Sequence, residues 1–560
     1  MNAGPIIKRI NPLAAVMTVA FLSGGCLSLW SASLTAFVVF LLIFFLLRYN
    51  NKLILPLSLP ALVVGGTVLA YGLAVFYAVD KGIAFLGFIK MTAVAGFLLL
   101  CCQVEKEDAK NAAWDIIPLL GAFSVAVCIG GIFVSFITGA SYFFHNGRLS
   151  GFLGYANTYA LWLLLGLVII AFKEDWRRRD QLIFAVNICG ICLSISRSLA
   201  FITIATLIFL LYLRPKARRL ILTMSLCGLA LGALVILLRG MQGDFTRLLQ
   251  TPAQAGEWLS RLAYYRDGLS MIAARPVGWG YLGYWYIQTA YQSVFYDVRF
   301  IHCSVLQYAL DIGIVPALLL AALGAALIFS RRIPMMEKII LALICGHSLI
   351  DIDLEFLLLF FIICLSIRPT AAKTLKPALA KVFVVFLALL HLYAGLTAYA
   401  AEKGPAELAL ALYPWHTEAL EQQMMNAATL EEAAPYGQKL LRRNDYAFLA
   451  LDTLARASYR KGYLEEAALL KLRSLSINRF LAQDYLELLS ICADGYELAL
   501  TAGDAERAEF FRQVIIAIPQ MMEQAGQALH EDAYRLKHKP DLQLPPQALE
   551  YIRNIATITK

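Results

Sequence analysis

Apolar and polar residues fall in long blocks along this chain rather than in a short period. Apolar stretches recur at 11–30, 33–48, 57–78, 82–102, 112–136, 157–172, 182–196, 198–213, 220–238, 302–329, 337–351, 354–367 and 381–400. The hydrocarbon core of a bilayer is about 30 Å thick and takes about 20 apolar helical residues. Inside it, only helices and closed barrels satisfy their own backbone. The pattern therefore predicts an all-α fold, a polytopic membrane bundle of about thirteen transmembrane helices. Beyond about residue 400 the blocks give way to amphipathic helical spacing. The expected division is a transmembrane domain over 1–400, with a long polar loop at 239–301, and an α-helical domain over 401–560.

Composition sharpens this picture. The 560 residues are 60% hydrophobic and only 16% charged, which excludes a soluble protein of this size. The net charge of +9 does not imply nucleic acid, because the basic runs Lys173–Arg179, Arg214–Arg219, Arg331–Arg332 and Arg368–Lys381 sit in short loops between apolar blocks. That is the positive-inside pattern. The first block follows Lys8-Arg9 without a small-residue cleavage site, so a retained helix is expected. With the amino terminus inside, every dense basic loop is cytoplasmic. The 137–156 loop, the Arg197 turn, the 239–301 loop, the Asp351–Asp353 turn and the carboxyl domain then lie outside. The eleven cysteines sit mostly within apolar blocks and read as small hydrophobes rather than a disulfide framework.

The carboxyl region carries an internal repeat. Leu430-Glu431-Glu432-Ala433 returns thirty-four residues later as Leu464-Glu465-Glu466-Ala467, with Asn444 and Asn478 at the same offset. Gly462 then Ala467, and Gly503 then Ala508, suit the turn and second helix of a tetratricopeptide (TPR) unit. Two or three imperfect TPR-like units are expected.

Candidate chemistry gathers on the outer side. His302 stands where the long loop meets an apolar helix, and near neutral pH an imidazole is the best available proton acceptor. Arginines are scarce outside, but Arg148, Arg197, Arg239, Arg247, Arg261, Arg266, Arg275 and Arg299 remain there. A guanidinium beside a membrane surface suits a diphosphate, which it grips by two parallel hydrogen bonds. The stretch from Arg261 to Ile272 is amphipathic at helical spacing, setting Arg261 near Tyr265 and Arg266 near Ser270. Pro276 should stop that helix, with Gly278 and Gly280 forming a tight loop of exposed amides beside Trp279, Tyr281, Tyr284 and Trp285. Asn157 suits a helix cap, with Arg148 left to meet a headgroup or substrate. His347 and Asp351, four apart, suit a hydrogen-bonded pair on one helix face.

In order along the chain, Arg148-Leu149-Ser150-Gly151 with Asn157, Ser196-Arg197-Ser198, Arg261 through Gly280, and His302 with Leu306-Gln307 and Gly313 resemble the O-antigen ligase and O-antigen polymerase superfamily. The His347-to-Asp351 stretch resembles the version with a TPR tail. The resemblance covers nearly all of the membrane region. It implies a membrane glycosyltransferase of the C type that moves glycan from undecaprenyl diphosphate to an acceptor, with inversion and with neither metal nor cofactor. It makes His302 the base and Arg197 and Arg261 the diphosphate ligands, with Arg266 a neighbouring candidate. Arg148, Asn157, Gly278 and Gly280 fall in the substrate and acceptor region. Where the family usually has asparagine after the histidine, this chain has Cys303, a departure that bears either on acceptor choice or on the strength of the activity.

The expected partners are a lipid-linked glycan, an acceptor glycan, lipid or protein, membrane lipid, and an envelope protein on the repeats, with no nucleic acid. The expected location is the bacterial plasma membrane, multi-pass, with the carboxyl domain extracytoplasmic. Two rival classes are a polysaccharide or lipid-linked sugar transporter and a non-catalytic assembly protein. A transporter tends to place charges near the bilayer midplane and to show symmetry between halves.

Overall fold

The structure is a computed structural model that describes residues 11–104, 107–138, 143–239, 256–367, 371–536 and 538–557. Lys8-Arg9, Arg247 and Arg368, named above, lie outside these. Every apolar block of the sequence carries a helix: α1 Pro12–Leu22, α2 Leu29–Asn50, α3 Leu59–Tyr77, α4 Lys81–Gln103, α5 Glu107–Thr138, α6 Ala156–Ala171, α7 Arg178–Ser194, α8 Arg197–Leu213 and α9 Arg218–Arg239. They are followed by α10 Glu257–Ala274 and α11 Gly283–Tyr291 in the long loop, then α12 Ser304–Ile312, α13 Ile314–Phe329, α14 Met335–His347, α15 Leu357–Ser366 and α16 Pro377–Lys403. Among the described residues, six helices are long and apolar enough to cross a membrane: α2, α3, α4, α5, α9 and α16. The protein is an all-α multi-pass membrane protein.

Two expected spans differ from single helices. The block 302–329 breaks at Gly313, whose φ is +95°, into α12 and α13. Backbone freed by a break inside the membrane must find partners in protein. Here the 275–280 loop supplies them: Trp279 N–H donates to Leu310 O at 2.6 Å, Gly280 N–H to Asp311 O at 3.0 Å, and Ile314 N–H to Pro276 O at 3.0 Å. A Cβ on Gly278 would lie 2.7 Å from Gly313 N, and one on Gly313 would lie 2.9 Å from Val277 O, so both glycines permit the crossing. The block 337–351 also ends early, since α14 stops at His347 and a tight connection carries Asp351, Asp353 and Glu355 to α15.

The connections fall into two groups that alternate along the chain. In the first, β1 (Leu53–Pro56) pairs antiparallel with β4 (Ala372–Leu375) in the register Leu53–Leu375, and Asn11 Nδ2 donates to Ala109 O at 2.8 Å. Lys173 in this group lies 3.3 Å from Asp115 and 2.8 Å from Asp180. The second group contains the 77–80 turn, the 144–155 segment with its small hairpin β2–β3 (Phe144–His145 and Arg148–Leu149), the Ser194–Arg197 turn, the described part of the long loop and the 348–356 connection. The runs around Lys173 and Arg214 belong to the first group, and His302 belongs to the second.

The carboxyl region packs as successive helices: α17 Ala406–Leu412, α18 Thr417–Asn426, α19 Leu430–Leu441, α20 Phe448–Arg460, α21 Leu464–Ile477, α22 Ala482–Thr501, α23 Ala505–Gln527 and α24 Pro546–Thr557. The starts of α19 and α21, and of α20 and α22, keep the thirty-four-residue offset of the sequence repeat. Buried Lys471 fixes this stack, with Nζ 2.8 Å from Asp452, 2.8 Å from Asp484 and 2.6 Å from Glu487. The stack rests on the second group of connections. Arg299 pairs with Glu418 at 2.6 Å, Arg479 donates to Gln292 O at 3.1 Å, His530 N–H donates to Ser293 O at 2.8 Å, and Tyr413 Oη donates to Gly82 O at 3.0 Å.

Candidate active site

Asp351 is the hub of the site. Its side chain is fully buried, and a carboxylate there needs donors to remain charged. One oxygen, Oδ1, accepts from Tyr155 Oη at 2.7 Å and from its neighbour Ile352 N–H at 2.9 Å, and faces His302 Nδ1 at 3.2 Å. The other, Oδ2, accepts from Asn157 Nδ2 at 2.6 Å and Arg261 Nη2 at 3.1 Å. Burial raises the Asp351 carboxyl, but the hydrogen bond from His302 and the positive charge of Arg261 outweigh it and hold the group well below the usual carboxylate range. Burial lowers the Arg261 guanidinium, and adjacent Asp351 more than restores it, so the pair is charged.

His302 immediately precedes Cys303, the N-cap of α12, and adopts φ +56°. That left-handed conformation is uncommon outside glycine and is held by neighbours when it occurs. Tyr265 Oη donates to His302 O at 2.7 Å, and the Tyr264 ring stacks on the imidazole with centroids 6.1 Å apart. The His302 side chain is 22% exposed, so it reaches solvent while Asp351 behind it does not. Because a carboxylate can only accept, Nδ1 carries the proton in this bond.

Asn157 extends the cluster. Its Oδ1 accepts from Ser196 Oγ at 2.9 Å and from Arg148 Nη2, while Arg148 Nε donates to Ser194 O at 3.0 Å. Two expectations change here. Tyr155, not Asn157, is the N-cap of α6, so the Asn157 amide is directed to Asp351. Arg148 is engaged by protein groups rather than left to a headgroup.

Arg197 opens α8 and reaches α10, where Nη2 pairs with Glu257 at 2.7 Å while Nη1 is buried without a hydrogen-bond partner among the described residues. Glu257 and Arg261 are one turn apart on α10, which draws Arg197 and Arg261 toward the same side of that helix. Arg266, five residues beyond Arg261, sits about 140° further round the helix. No hydrogen bond or ion pair recorded among the described residues links it to Asp351 or His302. The expected Arg266–Ser270 contact is Ser270 Oγ donating to the backbone of Arg266 at 3.2 Å, and Tyr265 turns to His302 rather than to Arg261.

Other sequence expectations need correction. The Gly278 amide donates to Arg275 O and the Gly280 amide to Asp311 O, both at 3.0 Å, so neither is an exposed donor. Trp279, Tyr281 and Tyr284 are buried, packed inside the protein rather than offered to a sugar. Arg275 stacks on Tyr77 and Trp279 and donates to Tyr77 O at 2.6 Å. His347 is not paired with Asp351. Its Nδ1 lies 2.6 Å from Asp353, which also accepts from Thr158 Oγ1 at 2.8 Å. The four-residue spacing assumed a helix through position 351, but the helix ends at His347. Reading His347 as the partner hid the role of Asp351; a carboxylate in the next outer turn was the available signal.

The fold and site together define a multi-pass all-α membrane protein with a buried carboxylate, a histidine and arginines on one face. Residues 182–336 match the family model described as O-Antigen ligase. The matched stretch contains Arg197, Arg261, Arg266 and His302, and leaves Arg148, Asn157 and Asp351 outside it. The match supports a glycosyltransferase-like role in polysaccharide assembly, with a lipid-linked glycan and an acceptor as the substrates the family implies. Neither the curated proteins nor the solved structures contain a match to this chain.

Proposed function

We propose that this protein is an integral membrane glycosyltransferase that transfers a glycan from undecaprenyl diphosphate to an acceptor hydroxyl during assembly of a cell-surface polysaccharide. The observation that carries this reading is the His302–Asp351 contact beside Arg261. A glycosyl diphosphate already has a good leaving group, so the site must stabilise charge on the departing diphosphate and remove one proton from the nucleophile. In the reaction, the acceptor oxygen bonds to the anomeric carbon as the bond from that carbon to the diphosphate oxygen breaks. The hydroxyl proton passes to His302 Nε2, and undecaprenyl diphosphate leaves. Attack opposite the leaving group inverts the anomeric centre. Asp351 holds the Nδ1–H tautomer and favours the imidazolium as it forms. Arg197, whose Nη1 has no hydrogen-bond partner among the described residues, and Arg261 take the diphosphate, and exposed Glu257 is the carboxylate the diphosphate displaces.

In this reading the basic first group of connections is cytosolic and the site faces outward across a bacterial plasma membrane. The carboxyl helices are extracytoplasmic TPR-like repeats that offer a surface to an envelope protein. Reconstitution into vesicles with an undecaprenyl-diphosphate oligosaccharide and a panel of acceptors tests the proposal. Covalent glycan on the acceptor, with free undecaprenyl diphosphate released, is the expected outcome. Movement of the donor across the bilayer without covalent transfer would favour the transporter reading instead.

A further inference from the structure

Below the site lies a buried set of charged and polar side chains that the reaction above does not use. Lys90 of α4, Asp311 of α12 and Glu355 of the connection before α15 are all at most 4% exposed. Lys90 Nζ lies 3.5 Å from Glu355 and donates to Tyr281 Oη at 3.3 Å. Asp311 accepts from Tyr71 Oη and from Gln307 Nε2, both at 2.9 Å. Burying such charges in a membrane protein is costly, and their retention asks for a purpose.

Two arms of this set end beside the site. Gln307 spans Asp311 and the chain next to the histidine: its Oε1 accepts from Ile301 N–H at 3.1 Å, one residue before His302. Glu355, held by Lys90, closes the connection that carries Asp351 four residues earlier. Ser304 ties the same two segments, with its N–H donating to Ser348 O at 2.8 Å and its Oγ to Asp351 O at 3.3 Å. Tyr308 Oη adds a bond to Leu354 O at 3.3 Å. One arm thus fixes the backbone of the left-handed histidine, and the other fixes the turn of its carboxylate partner.

We propose that the Gln307–Asp311 and Lys90–Glu355 pairs are positioning residues that set the spacing between His302 and Asp351, an inference that rests on the base role given to His302. Two measurements on full-length protein in nanodiscs test it. The first is a double-mutant cycle on transfer rate. Gln307→Leu should lower kcat by about 10-fold or more with little change in donor KM, and should cause no further loss in a His302→Ala background. A merely structural role would lower both backgrounds alike. The second is the rate of carbethoxylation of His302 by diethyl pyrocarbonate, read by mass spectrometry against His530, which is 34% exposed. The variant should change the His302 rate several-fold and leave the His530 rate as in the wild type.

Should Gln307→Leu fail to fold, the Lys90→Met/Glu355→Gln double variant removes both charges at once and is expected to be tolerated; the same two results are expected of it. An equal kcat loss in both backgrounds, or an unchanged His302 modification rate, would overturn the positioning role. Absence of transfer by the wild type would instead contradict the transferase reading, and the modification rate would still decide the positioning.

Discussion

His302 Nδ1 and Asp351 Oδ1 lie 3.2 Å apart although 49 residues of chain separate them. The contact exists because α14 ends four residues before Asp351 and because His302 adopts a left-handed backbone just ahead of α12. Asp351 simultaneously binds Arg261, so one buried carboxylate sets the orientation of both the histidine and a cation.

Asp351→Asn tests the tautomer argument. An amide at this position can donate to Nδ1 as readily as accept from it, which would move the proton to Nε2. Transfer should fall by about 10²-fold or more, comparable to losing the base. Steady-state rates on folded variant, with donor KM compared, check this.

The same residue sets a pH dependence of stability. Its folded pKa is depressed, so its contribution is full above the unfolded value near 4 and is lost as pH falls below that value toward the folded one. Wild-type thermal stability should therefore fall more steeply below about pH 4 than that of Asp351→Asn, measured side by side.

Cys303→Asn should stabilise the protein. Cys303 is the N-cap of α12 and makes no side-chain cap hydrogen bond. An asparagine cap adds about 1 kcal/mol. A rise in melting temperature is the expected result, and a changed acceptor preference in the same variant would link this position to acceptor choice.

Lys471→Met should unfold the carboxyl helices selectively. Removing the buried ammonium leaves Asp452, Asp484 and Glu487 facing one another, at a cost of about 3–5 kcal/mol. Proteolysis should then cut within 448–501 while the membrane helices stay protected.

Much of this organisation was legible in the sequence. Charged residues are rare in such an apolar chain, so His302, Arg197 and Arg261 stood out, and the thirty-four-residue repeat placed the helix starts at Leu430 and Leu464. The Gly313 break was not legible, because the hydrogen bonds that make it tolerable come from Pro276, Trp279 and Gly280, far away in the chain. Gly278 and Gly280 had the composition of a ligand loop, but their amides serve that break. Asp351 was visible as a residue but assigned to the wrong histidine, since periodicity carried a helix through a position where the chain turns. Lys90 and Glu355, in separate segments, gave no local pattern at all.

The central claim is that His302 removes the acceptor proton. The most direct measurement is the transfer rate of His302→Ala against wild type in the same vesicles, with an undecaprenyl-diphosphate oligosaccharide as donor and folding verified by melting temperature. A loss of about 10²–10⁴-fold at unchanged melting temperature is the predicted result. Wild-type transfer by the folded variant would contradict it.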